Sequence, residues 1–233
     1  MTPSVYVAGD LSGIQDYVLG VSAAGGGQAR RLRARSFYVQ VATEVAAWEV
    51  LRACNAGWDS VLMHGGGQFL LRVGGGDDVI ARLAALREEL ARRFYAETRG
   101  ELGLILSWGS SREEALRSRE EEKRRPWRAV VTNSGGWDIK LMSLPEVGEP
   151  CVICHHQRAE ATLRYEDELL GVCRRCHDDT EIGKRLPKIK TISLTVAAGE
   201  FAILGRGVLL GEEHSAGAGA MAIPRSLLRH VPT

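Results

Sequence analysis

The sequence predicts an α+β fold: a ferredoxin-like domain of the palm and cyclase type, with a four-cysteine zinc module appended. Three observations predict it. Apolar periodicities over residues 5–108 run strand, helix, strand, strand, helix, strand, the order of a split βαβ pair. Two C-x-x-C pairs, Cys151/Cys154 and Cys173/Cys176, stand 18 residues apart. The chain has 233 residues, 45% hydrophobic and 25% charged, which suits one large globular domain or two small ones and excludes fibrous and wholly disordered classes.

Val5-Tyr6-Val7-Ala8-Gly9-Asp10 reads as a short strand ending on an acid. Leu11 to Val18 begins helix-like before glycines 25–27 break the chain. Residues 29–53 carry Leu32, Phe37, Val41, Val45, Trp48 and Leu51 at helical spacing, which predicts a long amphipathic helix with an arginine-rich first turn. Ser60–His64 and Gln68–Val73 are apolar runs joined by Gly65-Gly66-Gly67, a hairpin pattern. A second helix follows from about Asp77 to Thr98, with Val79, Ile80, Leu83, Leu86, Leu90 and Phe94 on one face, and Leu102–Trp108 makes a fourth strand. Residues 111–125 form a charged helix, the stretch through Asn133, Pro145 and Pro150 reads as a linker, and 191–198 and 201–210 suggest two more strands. The expected division is a palm-like domain over 1–145, a zinc module over 146–190 and a C-terminal strand segment over 191–233 that starts a connection onward.

Thirty basic and 29 acidic residues leave a formal charge of +1, so a phosphate or nucleic-acid site must come from local clustering. No apolar stretch reaches the roughly 18–20 residues that span a bilayer, and Met1-Thr2-Pro3-Ser4 lacks a basic-then-apolar signal pattern; the expected location is the cytoplasm, without membrane contact. Four of the five cysteines sit in the two pairs, which reads as a metal site in a reducing compartment, with Cys54 a small core residue.

The cysteine spacing lets two tight knuckles offer Cys151, Cys154, Cys173 and Cys176 to one tetrahedral zinc. His155, His156 and His177 stand beside the knuckles as possible substitutes, but four thiolates already close the shell, and a closed shell is structural. Palm enzymes hold two divalent ions with carboxylates from the first strand's end and from the hairpin between the second and third. Asp10 occupies the first place, while the hairpin His64-Gly65-Gly66-Gly67-Gln68 carries no acid. Asp10 is open to two readings, a cap on the helix expected near Leu11 or a nucleotide or metal contact. Gly74-Gly75-Gly76-Asp77-Asp78 resembles the Gly-Gly-Asp-Asp loop of active palms but follows the third strand, where Asp77 is placed as a helix N-cap. Arg30, Arg31, Arg33 and Arg35, preceded by glycines, are either a solvated helix face or cations around a phosphate; because they oppose the helix dipole, the pattern favours an anion nearby.

Gly9-Asp10-Leu11-Ser12-Gly13-Ile14-Gln15, then Arg31-Leu32-Arg33-Ala34-Arg35-Ser36-Phe37, then Gly65-Gly66-Gly67-Gln68-Phe69, and the cysteine module with Ile182-Gly183-Lys184-Arg185-Leu186-Pro187 together resemble the large palm-containing subunit of type III CRISPR effector complexes. The resemblance covers nearly the whole chain. It implies a first palm followed by a zinc module, in a subunit that binds ATP between two palms and makes cyclic oligoadenylates when target RNA engages the complex. The HD nuclease domain and the second palm with its Gly-Gly-Asp-Asp hairpin, typical of such subunits, are not found in the sequence, so a split subunit or a fragment is expected.

The function expected on that basis is a non-catalytic half of a composite, RNA-guided antiviral nucleotidyltransferase. Asp10, Ser12, Gly65, Gly66, Gly67 and Gln68 would line one wall of an ATP pocket, a partner palm would supply the magnesium ions, and the zinc would be structural. The chain alone is expected to be inactive, with other effector subunits, a second palm, guide RNA and target RNA as partners. The alternative is an architectural subunit that docks protein or guide RNA and binds no nucleotide.

Overall fold

β1 (Ser4–Ser12) is an inner strand of a four-stranded antiparallel sheet in the order β2-β3-β1-β4, with β2 spanning Val61–Gly65, β3 Gln68–Gly74 and β4 Gly103–Gly109. The protein is described by a computed structural model over residues 3–21, 26–125, 148–195 and 199–211, with the backbone of 221–224. Between β1 and β2 run α1 (Ile14–Leu19) and α2 (Gln28–Ala53); between β3 and β4 runs α3 (Asp77–Thr98). Each helical connection thus joins two strands that flank a third, which is the split βαβ order read from the periodicities.

Alternation along β1 decides which residues reach which face. Ala8 packs with Leu70 and with Ala115 of α4 (Arg112–Glu122), flanked by Tyr6 and Leu116, so α4 covers the face that carries Tyr6, Ala8 and Asp10. Val7, Gly9 and Leu11 take the opposite face, where Gly9 is needed because a Cβ there would enter the Phe69 ring. His64, paired across the strands with Phe69, meets Glu44 of α2 at 3.4 Å, so α2 lies on that second face. α4 starts where expected because Ser111 caps it, its hydroxyl accepting from the Glu114 amide at 3.2 Å.

Three details differ from the sequence expectations. β1 continues through Asp10 to Ser12, so Asp10 is a strand residue and caps no helix. Gly76, not Asp77, is the N-cap of α3; Asp77 and Asp78 lie in its first turn, and Asp78 pairs with Arg82 at 2.9 Å. The run 201–210 is interrupted by Leu204-Gly205, both at positive φ, which turns it into a two-residue hairpin between β8 (Phe201–Ile203) and β9 (Arg206–Gly211).

The described residues within Met1–Ile14 and Val39–Asp138 form one compact unit, and those within Gln15–Tyr38 and Ile139–Thr233 form another. The second contains α1, the first turns of α2, a hairpin of β5 (Ala161–Tyr165) and β6 (Glu168–Val172), α5 (Arg174–Arg185), and a sheet in the order β10-β7-β9-β8, with β7 at Thr191–Thr195 and β10 at Met221–Pro224. Thus residues 15–38, which precede the second strand in sequence, pack with the cysteine region.

Candidate functional site

Each C-x-x-C pair turns on a local backbone device. In the first, the His155 amide donates to the Cys151 carbonyl at 2.9 Å, and His155 itself takes a positive φ that closes the turn. In the second, Cys173 is the N-cap of α5: its sulfur accepts from the Cys176 amide at 3.4 Å and its carbonyl from the His177 amide at 3.0 Å. The β5–β6 hairpin between them brings the knuckles together, with the Val152 amide on the Gly171 carbonyl at 3.1 Å. Cys151, Cys173, Cys176, Ile153 and Val172 form a buried cluster of their own, flanked by Leu163 and Leu170.

The four Sγ atoms lie within 4.8 Å of one another, with Cys154 and Cys173 at 3.8 Å. The edge of a tetrahedron with metal–sulfur bonds of about 2.3 Å is roughly 3.8 Å, so the donor set fits a single tetrahedral ion. Hydrogen bonds from Cys173 and Cys176 hold the Cys154 thiol well below the usual range, and the same bonds to Cys154, with burial, push Cys173 and Cys176 up. The four cysteines are the one such cluster among the described residues, and His177 faces Asp178 at 3.2 Å instead.

The arginine run is not one surface. Arg30 is exposed, Arg33 is half-buried with its Nη1 donating to the Gly183 carbonyl at 2.9 Å, and Arg31 and Arg35 are 1% and 4% exposed. Arg35 pairs with the buried Asp179 of α5 at 3.4 Å and donates to the Tyr17 carbonyl at 2.7 Å. Arg175, inside the second knuckle, stacks between the Tyr17 and Tyr38 rings at 4.9 and 4.8 Å and donates to the Tyr17 hydroxyl. Burial raises the pKa of Tyr17 and of Asp179. Sequence reasoning missed Arg175, Asp179 and the two tyrosines; the available signal was the 173–183 segment, where Cys176, Asp179, Thr180 and Gly183 fall on one helical face.

In the first unit Asp10 meets the end of the β2–β3 hairpin, while Ser12 turns to the strand on the other side. Asp10 and Gln68 are cross-strand partners, and the Gln68 amide donates to the Asp10 carboxylate at 3.2 Å. The β2–β3 turn holds Gly65, Gly66 and Gly67 at φ of 143°, 63° and 84°, and a Cβ on Gly65 or Gly66 would meet nothing within 4 Å, so the tip is bare, open backbone. Ser12 donates to the Gly103 carbonyl at 3.2 Å on the neighbouring strand. The new element is α4: Lys123 Nζ lies 2.7 Å and Arg119 Nε 3.7 Å from the Asp10 carboxylate, which is itself 4% exposed as a residue. A cationic pair at i, i+4 in the charged helix was the signal for it.

A family model described as Csm1 subunit domain B matches residues 4–135. The chain is 27% identical over 197 residues to the CRISPR system single-strand-specific deoxyribonuclease Cas10/Csm1 (subtype III-A) of Thermococcus onnurineus (strain NA1), covering 78% of this chain and 25% of that protein. Its fold is similar to that in the crystal structure of an apo Csm1–Csm4 cassette, with a TM-score of 0.63 at 16% identity over 91% of this chain and 26% of that one. A Csm1–Csm4 cassette in complex with one ATP gives a TM-score of 0.55 at 16% identity over the same shares. The chain spans about a quarter of the length of the relatives it matches.

Proposed function

The chain belongs to the Csm1 subunit domain B family, and from that premise we propose that it serves as the non-catalytic first-palm portion of the large subunit of a type III CRISPR effector complex, contributing one ATP-binding wall to a composite cyclic-oligoadenylate synthase. The observation that carries this reading is the state of Asp10. Two-metal phosphoryl transfer requires carboxylates that clamp two ions a few ångströms apart. Here the one acid at the palm position is met by the Lys123 ammonium and the Arg119 guanidinium, and the facing hairpin is glycine and Gln68. Such a site can line a nucleotide but does not assemble the ion pair.

The bare Gly65–Gly66 backbone beside Asp10 and Gln68 supports a close approach by a flat or phosphate-bearing ligand, because any side chain there would stand in the way. A relative crystallised with one ATP supports the same class of ligand. The four cysteines would hold a zinc ion, whose chemistry is structural: it cross-links the two knuckles and leaves no coordination position for water. Magnesium, guide and target RNA, and a partner such as the Csm4 of the related cassettes belong to the assembled complex.

The test is binding of AMPPNP to the chain with and without a second-palm protein, together with product analysis after incubation with ATP and magnesium. The expected result is binding that needs both proteins, is weakened by Gly66→Val, and yields no cyclic oligoadenylate from the chain alone. Synthesis by the purified chain that Asp77→Asn abolishes would overturn the non-catalytic reading. An architectural role that docks protein is the second reading, favoured by the edge strand β2, where Leu62 and Met63 are 51% and 39% exposed; indifference of AMPPNP binding to every one of these residues would favour it.

A further inference from the structure

We propose that Arg30, Lys184 and Lys188 form a docking surface for the phosphate backbone of a single-stranded nucleic acid, carried by the second unit and separate from the Asp10 site. All three are exposed, and among the described residues their side chains meet no carboxylate and no other partner. The cations around them are engaged: Arg33 with the Gly183 carbonyl at 2.9 Å, Arg35 with Asp179 at 3.4 Å, and Arg185 with Glu200 and with the Leu210 carbonyl at 3.2 Å. The acids of the same segment are engaged as well, Asp178 by Arg174, Asp179 by Arg35 and Glu200 by Arg185, while the half-buried Glu181 stands one turn before Lys184 without an ion pair. Glu166, Asp167 and Glu168 at the β5–β6 turn pair with none of the three either. Because the Tyr165 ring lies against Gly26, those acids bound the surface on that side, and repulsion directs a polyanion along Lys184 and Lys188 instead of across the hairpin.

The three come together because α2 begins where α5 ends. The Arg30 backbone lies against Gly183 and Arg33 bonds the Gly183 carbonyl, so the first turn of α2 abuts the last turn of α5, which carries Lys184. Lys188 follows on a turn fixed by the Leu186 amide on the Ile182 carbonyl and the Lys188 amide on the Arg185 carbonyl, each at 2.9 Å, with Leu186 and Ile189 buried on either side. Helix dipoles do not account for these charges. The negative end of α5 already faces the positive end of α2, so each offsets the other; Arg30 stands at the unfavourable end of its own helix, and Lys188 lies beyond the end of α5. Lys190 is set apart from the group, its amide being held by Gly211, directly before Glu212 and Glu213 in sequence.

Cations held outward on a fixed backbone suit a partner whose negative charge repeats closely, and a nucleic-acid strand is such a partner. A bilayer surface is the poorer fit, because helices and turns that bind it also sink apolar side chains into the interface, and here Leu186 and Ile189 are buried. Contacts of this kind go to phosphates, so the surface positions a strand without reading its bases.

The experiment is fluorescence anisotropy of a labelled single-stranded oligouridylate with the full, zinc-loaded chain, from about 50 to about 200 mM salt; RNA is the probe because the complex proposed above is RNA-guided. Three neutralised phosphates give a slope of roughly −2 in log affinity against log salt, so the parent should lose about 20-fold over that range. The triple variant Arg30→Gln, Lys184→Gln, Lys188→Gln should bind about 10-fold or more weakly at the low-salt end, with a slope near zero. Removing three exposed arginines elsewhere, as Arg92→Gln, Arg112→Gln, Arg117→Gln, should leave affinity and slope at the parent's values. Equal losses in the two triple variants, or a parent whose binding is undetectable or insensitive to salt, overturn the proposal. So does parent binding to phosphatidylcholine–phosphatidylserine vesicles that the first triple variant loses while keeping RNA, which assigns the cations to a membrane. Zinc content, and AMPPNP binding in the presence of a second palm, should be unchanged in that variant, so the failure of this surface and the failure of the ATP-wall reading are told apart.

Discussion

Gly183→Ala is the substitution on which local and tertiary physics disagree in sign. In a helix interior, alanine is favoured over glycine by roughly 1 kcal/mol, so propensity predicts a more stable α5. The packing predicts the reverse. A methyl group at Gly183 would sit 2.5 Å from the Arg30 carbonyl carbon and 2.9 Å from its Cα, with the oxygen nearer still, and these are backbone atoms that no rotamer change can move aside. α2 would have to retreat from α5 by about 1 Å to restore van der Waals contact, which stretches the Arg33 bond to Gly183 and the buried Arg35–Asp179 pair together. Overpacking of this kind costs about 1–3 kcal/mol, and weakening the buried pair adds to it. The net expectation is a loss of about 2–3 kcal/mol in urea unfolding of the zinc-loaded chain, accompanied by easier zinc release. A variant that unfolds at higher urea than the parent, by the amount helix propensity alone supplies, would refute the close approach of the two helices.

Cys173→Ser should release the metal and raise amide exchange across 148–186, while 39–125 keeps its protection; exchange mass spectrometry with and without chelator checks both. Glu44 is pushed up to about 7 by burial on the helix face of the sheet. Its folded pKa therefore exceeds the unfolded value near 4.5, so the favourable contribution is complete below that value and is lost as pH rises to about 7, by up to about 3 kcal/mol; Glu44→Gln should remove that slope from urea midpoints measured between pH 4.5 and 7.5. A double-mutant cycle on Asp10→Asn and Lys123→Met should give a coupling of about 1 kcal/mol, modest because Lys123 is partly exposed; near-additive effects would remove the ammonium from the Asp10 site.

The strand and helix order of the first unit was legible because β1 and β3 are short, mostly buried apolar runs bounded by glycines, and apolar residues recur at three and four in α2 and α3. The convergence of the four cysteines was legible because paired C-x-x-C spacing is itself a ligand pattern. What escaped the sequence depends on tertiary neighbours. The end of β1 was read at Asp10 because an acid commonly stops a strand, but Gln68, Arg119 and Lys123 satisfy it inside the sheet. Pairing of residues 15–38 with the cysteine region, and not with the strands around them in sequence, left as its signature the one-sided face of α5 through Cys176, Asp179, Thr180 and Gly183, which does not say what it packs against.

The arginine run shows how one physical demand can be met by groups that the sequence does not place nearby. Four arginines at the start of a helix oppose its dipole, and that strain does require negative charge nearby. From sequence the available anions were external phosphates, because the cysteines lie more than a hundred residues further on. In the folded unit part of that demand is met internally: Asp179 for Arg35, a peptide carbonyl of α5 for Arg33, and the Gly26 carbonyl for Arg31. Because arginine stays charged throughout the accessible pH range, this demand cannot be relieved by losing a proton, as a lysine could. The helix start is therefore held by its contacts with α5, and the loss of Asp179 or of the Gly183 carbonyl would turn these arginines into a liability to the packing of α2.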